Sequence, residues 1–167
     1  MQKYAGVEKI ISGGQTGADQ GGLYFAKAVG IKTGGTAPYQ YRTENGNMFV
    51  LLGDYFGLEQ HKSFRYPPRT LKNVKDSDGT VIFSKENTPG TILTEKYCKE
   101  ESKPCFIVRD IMETNGTVHS ASAEKFVAWL KENKIKVLNV AGNRESVSAG
   151  IKQKVVNFLL YTIIGRK

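Results

Sequence analysis

Residues 7–30 read VEKIISGGQTGADQGGLYFAKAVG. An apolar run passes into five glycines within the eleven residues Ser12 to Gly22, and these pass into an amphipathic run. Val7–Ser12 reads as a strand. Ala18–Gly30 reads as a helix with Leu23, Ala26, Ala28 and Val29 toward one face and Gly30 as its stop. Thr16 and Asp19, three residues apart, resemble a capping box. Gly13, Gly14 and Gly17 leave bare amides and a helix N-terminus at the turn, a ready site for an anion. The helix dipole contributes about 0.3–1 kcal/mol, so other groups must complete such a site, and Gln15 and Asp19 are the polar candidates within the stretch. No Gly-Lys-Ser/Thr ending follows, and Gly14-Gln-Thr-Gly17 has the wrong register for a dinucleotide G-x-G-x-x-G. ATP hydrolysis and ordinary NAD binding are disfavoured.

The same alternation recurs along the chain. IKTGGTA is a short, weak strand. Tyr39–Pro68 is polar, aromatic and turn-rich, too long for a plain connector in a compact domain. Gly79–Ser84 (GTVIFS) reads as a buried strand, Thr91–Ser102 as a helix and Pro104–Val108 as the next strand. SAEKFVAWLKENK is an amphipathic helix with Ala123, Phe126, Val127 and Leu130 on one face and Ser122 as its cap. Ile135–Ala141 is another buried strand, and a last helix runs from about Ala149 to Ile164. Apolar strands alternating with helices predict an α/β fold, a three-layer Rossmann-like sandwich around a mainly parallel sheet. Right-handed crossovers and sequential adjacency give a core order 2-1-3-4-5, with Val7–Ser12 beside Gly79–Ser84. One ligand-binding domain over residues 1–167 is expected. Ligands in such sheets bind at the strand carboxyl ends.

That rule selects two more loops. In SKENTPGTILTE (Ser84–Glu95), Asn87, Thr88, Gly90, Thr91 and Thr94 gather at a strand end and helix start. They suit either capping or an oxygen-rich ligand group. In AGNRESVSAG (Ala141–Gly150), Asn143, Arg144, Glu145 and Ser146 follow a strand directly. Arg144 can pair with Glu145 on the surface or present its fork to phosphate or carboxylate, a charge-assisted bond of about 1.5–3 kcal/mol. Arg42 and Arg69 belong to the irregular region. A helix before the central strand would bring Arg69 to the cleft mouth, and Tyr39, Tyr41, Phe64 and Tyr66 can stack on a flat ring or fill core.

Composition narrows the partners. A hydrophobic fraction of 40% and a charged fraction of 24% are those of an ordinary globular protein. With no long apolar run at the N-terminus or elsewhere, a cytoplasmic protein without membrane attachment is expected. The net charge of +8 favours anionic partners. Its lysines are scattered and no aromatic-interleaved basic run occurs, so a small anionic ligand is favoured over a basic nucleic-acid-interaction module. Cys98, Cys105, His61 and His119 show no metal-ligand spacing, and no protein-bound metal is expected. The strongly apolar last helix (Val155, Val156, Phe158, Leu159, Leu160, Tyr161, Ile163, Ile164) predicts burial on most sides, partly against another subunit, hence a homo-oligomer, dimer or tetramer.

SGGQTGADQGGLYFAKAVGIKTGGTAP, RTENG, RTLKNVKDSDGTVIF, GTILT and VLNVAGNRESVSAGI, in that order, resemble the putative molybdenum carrier family over about residues 7–165. That family is similar to a wider group of Rossmann-like proteins that includes the lysine-decarboxylase-like phosphoribohydrolases. The resemblance implies a Rossmann-like fold, self-association and binding of molybdenum cofactor or a related nucleotide-like anion. The matching positions are Gly13, Gly14, Gln15, Thr16, Gly17, Asp19, Arg69, Gly90, Thr91, Asn143, Arg144, Glu145 and Ser146. Two positions depart from the family pattern: Thr88-Pro89 replaces a Gly-Gly pair, and Asn143 stands where many members have proline. The phosphoribohydrolases carry acidic residues two and three positions after the Gly-Thr threonine. Here these are Leu93 and Thr94, while Glu95 falls about 100° further round the helix. A binding protein for a phosphate-bearing heterocycle is therefore the first expectation. A nucleoside-monophosphate glycosidic hydrolase using Asp19 or Glu145 is the alternative.

Overall fold

In the computed structural model, which describes residues 3–165, five parallel strands form the central sheet. They are β1 (Lys9–Ile11), β2 (Lys32–Gly34), β3 (Gly79–Phe83), β4 (Cys105–Val108) and β5 (Val137–Gly142). The helices are α1 (Ala18–Val29), α2 (Tyr66–Asp76), α3 (Pro89–Glu100), α4 (Ser120–Glu132) and α5 (Ile151–Leu159). The three-layer α/β sandwich expected from the alternation is present, but the strand order is not 2-1-3-4-5. It is β2-β1-β5-β3-β4: the last strand enters between β1 and β3. Burial separates centre from edge. Every residue of β3 is buried and β5 carries a buried centre, whereas three of the four residues of β4 are only half-buried.

The order becomes regular if the chain is read as a circle. Counting from β5 as the first strand gives 3-2-1-4-5, the doubly wound arrangement, with its topological switch between β5 and β3. The ends of the described chain lie close enough for that: the Tyr4 N–H donates to the Thr162 carbonyl at 3.2 Å.

One face of the sheet is apolar. Ile10, Val81, Phe83, Leu138 and Val140 pack under Phe25 and Ala26 of α1, Phe126 and Leu130 of α4 and Val155 and Phe158 of α5. A Cβ on Gly22 would come within 2.7 Å of the Val140 Cβ, so glycine there sets the close approach of α1 to β5. The opposite face is mixed, with buried Ile11 and Ile82 beside polar side chains. Strand alternation turns Thr80 and Asn139 toward α2 and α3, and the Asn139 amide donates to the Thr80 hydroxyl at 3.1 Å. Buried Cys98 on α3 and half-buried Cys105 on β4 hydrogen-bond to each other, which together with burial pushes the Cys105 thiol up.

The long irregular stretch has small elements of its own. A tight turn at Tyr39–Tyr41 leads into an antiparallel hairpin, Arg42–Thr43 with Gly46–Asn47, and then a π-helical segment, Phe49–Tyr55. Leu52, Phe56 and Leu58 form a second apolar cluster with Leu23 and Ala37. Helix boundaries agree with the sequence reading to within about two residues, with different caps. His119, not Ser122, caps α4, its Nδ1 accepting from the Ser122 N–H at 3.2 Å. Gly17 starts α1 with no side-chain cap, so Thr16 and Asp19 form no capping box. α5 continues through a π-helical segment to Ile164. Its Val155, Phe158, Leu159 and Ile163 are buried within this chain, so most of its apolar surface is covered without a second subunit. No helix among the described residues is long and apolar enough to cross a membrane.

Candidate functional site

Three loops at the carboxyl ends of β1, β3 and β5 meet α2 around a cleft of about 580 Å³. It lies where the winding of the sheet reverses. Asn143 holds the three loops together: its N–H donates to the Phe83 carbonyl at 3.0 Å, its carbonyl accepts from the Ala18 N–H at 3.0 Å, and its Oδ1 accepts from the Ser84 hydroxyl at 3.0 Å. The main chain at this position thus ties β5 to β3 and α1, and the asparagine side chain adds the bond to Ser84.

From the first loop, Gly13, Gln15 and Asp19 line the cleft; from α2, Tyr66, Arg69 and Asn73 do so. Arg69 Nη1 donates to Asp19 Oδ2 at 3.3 Å. Its guanidinium lies across Gly13, where a Cβ would fall 1.5 Å from Nη1, so this position must lack a side chain. Asp19 Oδ2 also accepts from the Gln15 N–H at 3.2 Å. Burial pushes the Asp19 carboxyl up, and the Arg69 charge and Gln15 amide oppose that shift without cancelling it. The Gln15 Oε1 accepts from the Thr16 N–H at 3.0 Å and the Glu44 N–H at 2.9 Å, which fixes the orientation of the side-chain amide. Its Nε2 is left as a donor. Among the described residues, two buried side-chain nitrogens or oxygens lack a hydrogen-bond partner: Gln15 Nε2 and Arg69 Nε. Both are N–H donors on residues that line this cleft.

From the second loop Thr88, Gly90, Thr91 and Thr94 line the cleft. Their hydroxyls serve α3 first. Thr88 and Thr91 make a reciprocal cap, and the Thr94 hydroxyl donates to the Gly90 carbonyl at 2.9 Å. From the third loop Asn143, Arg144 and Ser146 line it. Arg144 does not pair with Glu145. Its Nε is 4.0 Å from Glu44 Oε2.

The other sequence candidates lie outside the lining. A Cβ on Gly14 would meet Leu52 and Leu58, so that residue faces the second apolar cluster. Thr16 donates its hydroxyl to Glu44, and Gly17 begins α1 against the Asn143 carbonyl. Asn87 Oδ1 accepts from Arg109 Nη2 at 2.6 Å. Glu145 accepts the N–H groups of Gly150 and Lys152 at 2.9 and 2.7 Å, so its carboxylate holds the start of α5. Arg42 stands by the Tyr66 ring, at 4.9 Å from its centroid, with Arg69 and Arg144 each at 5.5 Å. Three guanidiniums thus surround one ring. Of the aromatics considered for stacking, Tyr39 packs edge-on to Phe64 and Tyr41 to Phe49, while Tyr66 faces the cleft.

Sequence reasoning passed over Glu44 and Asn73. Asn73 accepts from the Thr36 N–H and donates to its carbonyl, both at 2.9 Å, fixing α2 to the chain after β2. Burial would raise the Glu44 carboxyl, but hydrogen bonds from Ser146 and Thr16, with the Arg144 charge, outweigh it and hold the group below the usual carboxylate range. Both residues sit within motifs already quoted, RTENG and RTLKNVKDSDG, but neither spacing announces partners 28 to 102 residues away. No group of three or more His, Cys, Asp or Glu residues suited to a metal ion occurs among the described residues.

A doubly wound sheet entered one strand out of phase, with a cationic cleft at its switch point, defines a permuted Rossmann-like class. Residues 10–163 match the model of the circularly permutated YpsA SLOG family, cpYpsA, and the chain belongs to that family. It is similar, at 34% identity over 95% of each chain and with a TM-score of 0.79, to the crystal structure of a "Putative molybdenum carrier protein" from Syntrophus aciditrophicus SB. No curated protein matches the chain.

Proposed function

We propose that this chain is a binding protein for a phosphate-bearing heterocycle, molybdenum cofactor-like or nucleotide-like, held in the cleft between β5, β3 and α2. The observation that carries this reading is the pair of buried, unpartnered donors, Gln15 Nε2 and Arg69 Nε. A buried polar group without a partner costs about 1–3 kcal/mol. Two of them on residues that line one cleft, both donors, suit a ligand that brings acceptor oxygens. Gln15 and Arg69 hold the anionic group at the floor, and Gly13, lacking a side chain, leaves room for the Arg69 guanidinium. Arg144 adds charge nearer solvent, with 38% of its side chain exposed against 13% for Arg69. Tyr66 offers a ring face, and Gly90 and Thr91 also line the cleft. The carrier name of the similar protein agrees with a bound small-molecule cargo, and phosphate oxygens are acceptors of the kind that Gln15 and Arg69 lack.

The experiment is mass spectrometry of whatever small molecule leaves the purified protein on heating, followed by calorimetric titration with that molecule and with its dephosphorylated form. A phosphate-bearing compound that binds without turnover is expected, with the dephosphorylated form at least about tenfold weaker. Release of free base from a nucleoside monophosphate would instead establish glycosidic hydrolysis, for which Asp19 is the carboxyl in the cleft and Glu145 is already engaged. Salt-sensitive retention on RNA, unaffected by Arg144→Ala, would make the protein a basic interaction module. We also propose self-association through the half-buried Val156, Leu160 and Tyr161 of the C-terminal helix. Sedimentation at micromolar concentration tests it, and a strictly monomeric profile would remove it.

A further inference from the structure

Glu44 sits at the turn of the Arg42–Thr43/Gly46–Asn47 hairpin, and its carboxylate is surrounded by donors. The Thr16 hydroxyl and the Ser146 N–H, the latter at 3.3 Å, donate to Oε1. The Ser146 hydroxyl donates to Oε2 at 2.5 Å, and Arg144 Nε stands 4.0 Å from the same oxygen. Two hydroxyls, a backbone amide and a guanidinium converging on one point make a donor set that fits phosphate or carboxylate generally. Here the occupant is a side chain of the protein itself. Ser146 and Arg144 also line the ligand cleft, further toward solvent than Gln15 and Arg69.

We propose that Thr16, Arg144 and Ser146 form a second anion subsite at the mouth of the cleft, and that Glu44 fills it as a built-in competitor until a second anionic group of the ligand displaces it. The inference rests on the cleft being an anion site. It adds that the ligand carries two anionic groups, one for the floor and one for the mouth. A ligand with one such group leaves Glu44 in place. Displacement needs only rotation of the side chain, because the hairpin stays tethered through the Glu44 N–H, which donates to Gln15 Oε1. The same main-chain bond survives Glu44→Gln, so that variant keeps its link to the first loop.

The test is titration of the protein with inorganic phosphate, read by calorimetry and by phosphorus NMR linewidth. Wild type is expected to take one phosphate per chain, at the floor. Glu44→Gln is expected to take two, and Glu44→Gln combined with Arg144→Ala to return to one. The same stoichiometry in wild type and Glu44→Gln, or weaker binding by the variant, overturns the proposal. Glu44→Asp, which keeps the charge but shortens the reach, provides a second reading: gain of the second phosphate supports displacement, and no gain counts against it. If wild type takes none and Glu44→Gln takes one, the mouth subsite stands and the floor reading falls. If both take one, the floor reading stands and the mouth subsite falls.

Discussion

The pairing of Arg69 with Asp19 sets the chemistry of the cleft floor at the scale of single residues. A carboxyl driven up by burial binds its proton more tightly in the folded protein than in the unfolded one. The stability linked to that proton is complete at pH values below the unfolded pKa and is lost as pH rises through the folded value. Asp19→Asn has no such loss. Its stability relative to wild type, from urea unfolding between about pH 4 and 8, should therefore shift in the variant's favour as pH increases. A difference that stays flat would show that the Arg69 charge cancels the burial penalty. Gly13 gives a second residue-level prediction. Gly13→Ala places a Cβ where the Arg69 guanidinium lies, so Arg69 must leave both Gly13 and Asp19. Binding of the proposed phosphate-bearing ligand should weaken by about tenfold or more, the loss of one charge-assisted bond, as measured by calorimetry. Arg69 was legible as a cleft residue because a helix expected before the central strand would bring it to the cleft mouth; packing sets it deeper, on the buried side of the cleft. Its orphaned Nε was not, because nothing in a sequence reports which hydrogen bonds a packed side chain fails to make.

Elements were legible where pattern and packing demand the same residues. The helix from Ala18 follows from its apolar face, and Gly21-Gly22 within it looks like a defect by propensity alone. Against the sheet it is a fit: glycine at 22 lets α1 rest on Val140. Gly22→Ala should cost about 1–3 kcal/mol by overpacking, a fall in Tm of roughly 2–12 °C for a chain of this size by calorimetry. An unchanged Tm would mean that α1 moves outward freely. Caps were less legible than helices. Thr88 and Thr91 close α3 on each other, while α4 is capped by a histidine ring and α1 by a glycine, choices that depend on the approach of the preceding chain. The stretch from Tyr39 to Pro68 resisted reading because its elements are short and held from afar: the hairpin through Glu44 by Gln15, Thr16 and Ser146, the π-helical segment and the turn after it by α1 and β2.

The strand order decides where the site lies in the whole molecule. With β5 between β1 and β3, the loop after β5 faces the loops after both neighbours, and Asn143 can bind them together. Closing the chain near Tyr4 and Thr162 and opening it in the α4–β5 connection, Asn133–Lys136, would give the ordinary 3-2-1-4-5 order. Such a permutant, joined by a short glycine-rich linker, should fold to the same sheet with an unchanged far-ultraviolet circular dichroism spectrum and bind the same ligand. Loss of structure would show that the present connectivity is needed beyond geometry. The alternation of strands and helices, the glycine-rich turn and the three polar loops were all readable from local pattern, because burial imposes periods of two and 3.6 residues on the chain itself. The place of β5 in the sheet, the Glu44 contacts and the unpaired donors were decided by tertiary structure alone. An apolar strand reads the same at centre and edge, and hydrogen bonds between the loops around the cleft, such as that from the Glu145 N–H to Thr16 across 129 residues, leave no spacing to recognise.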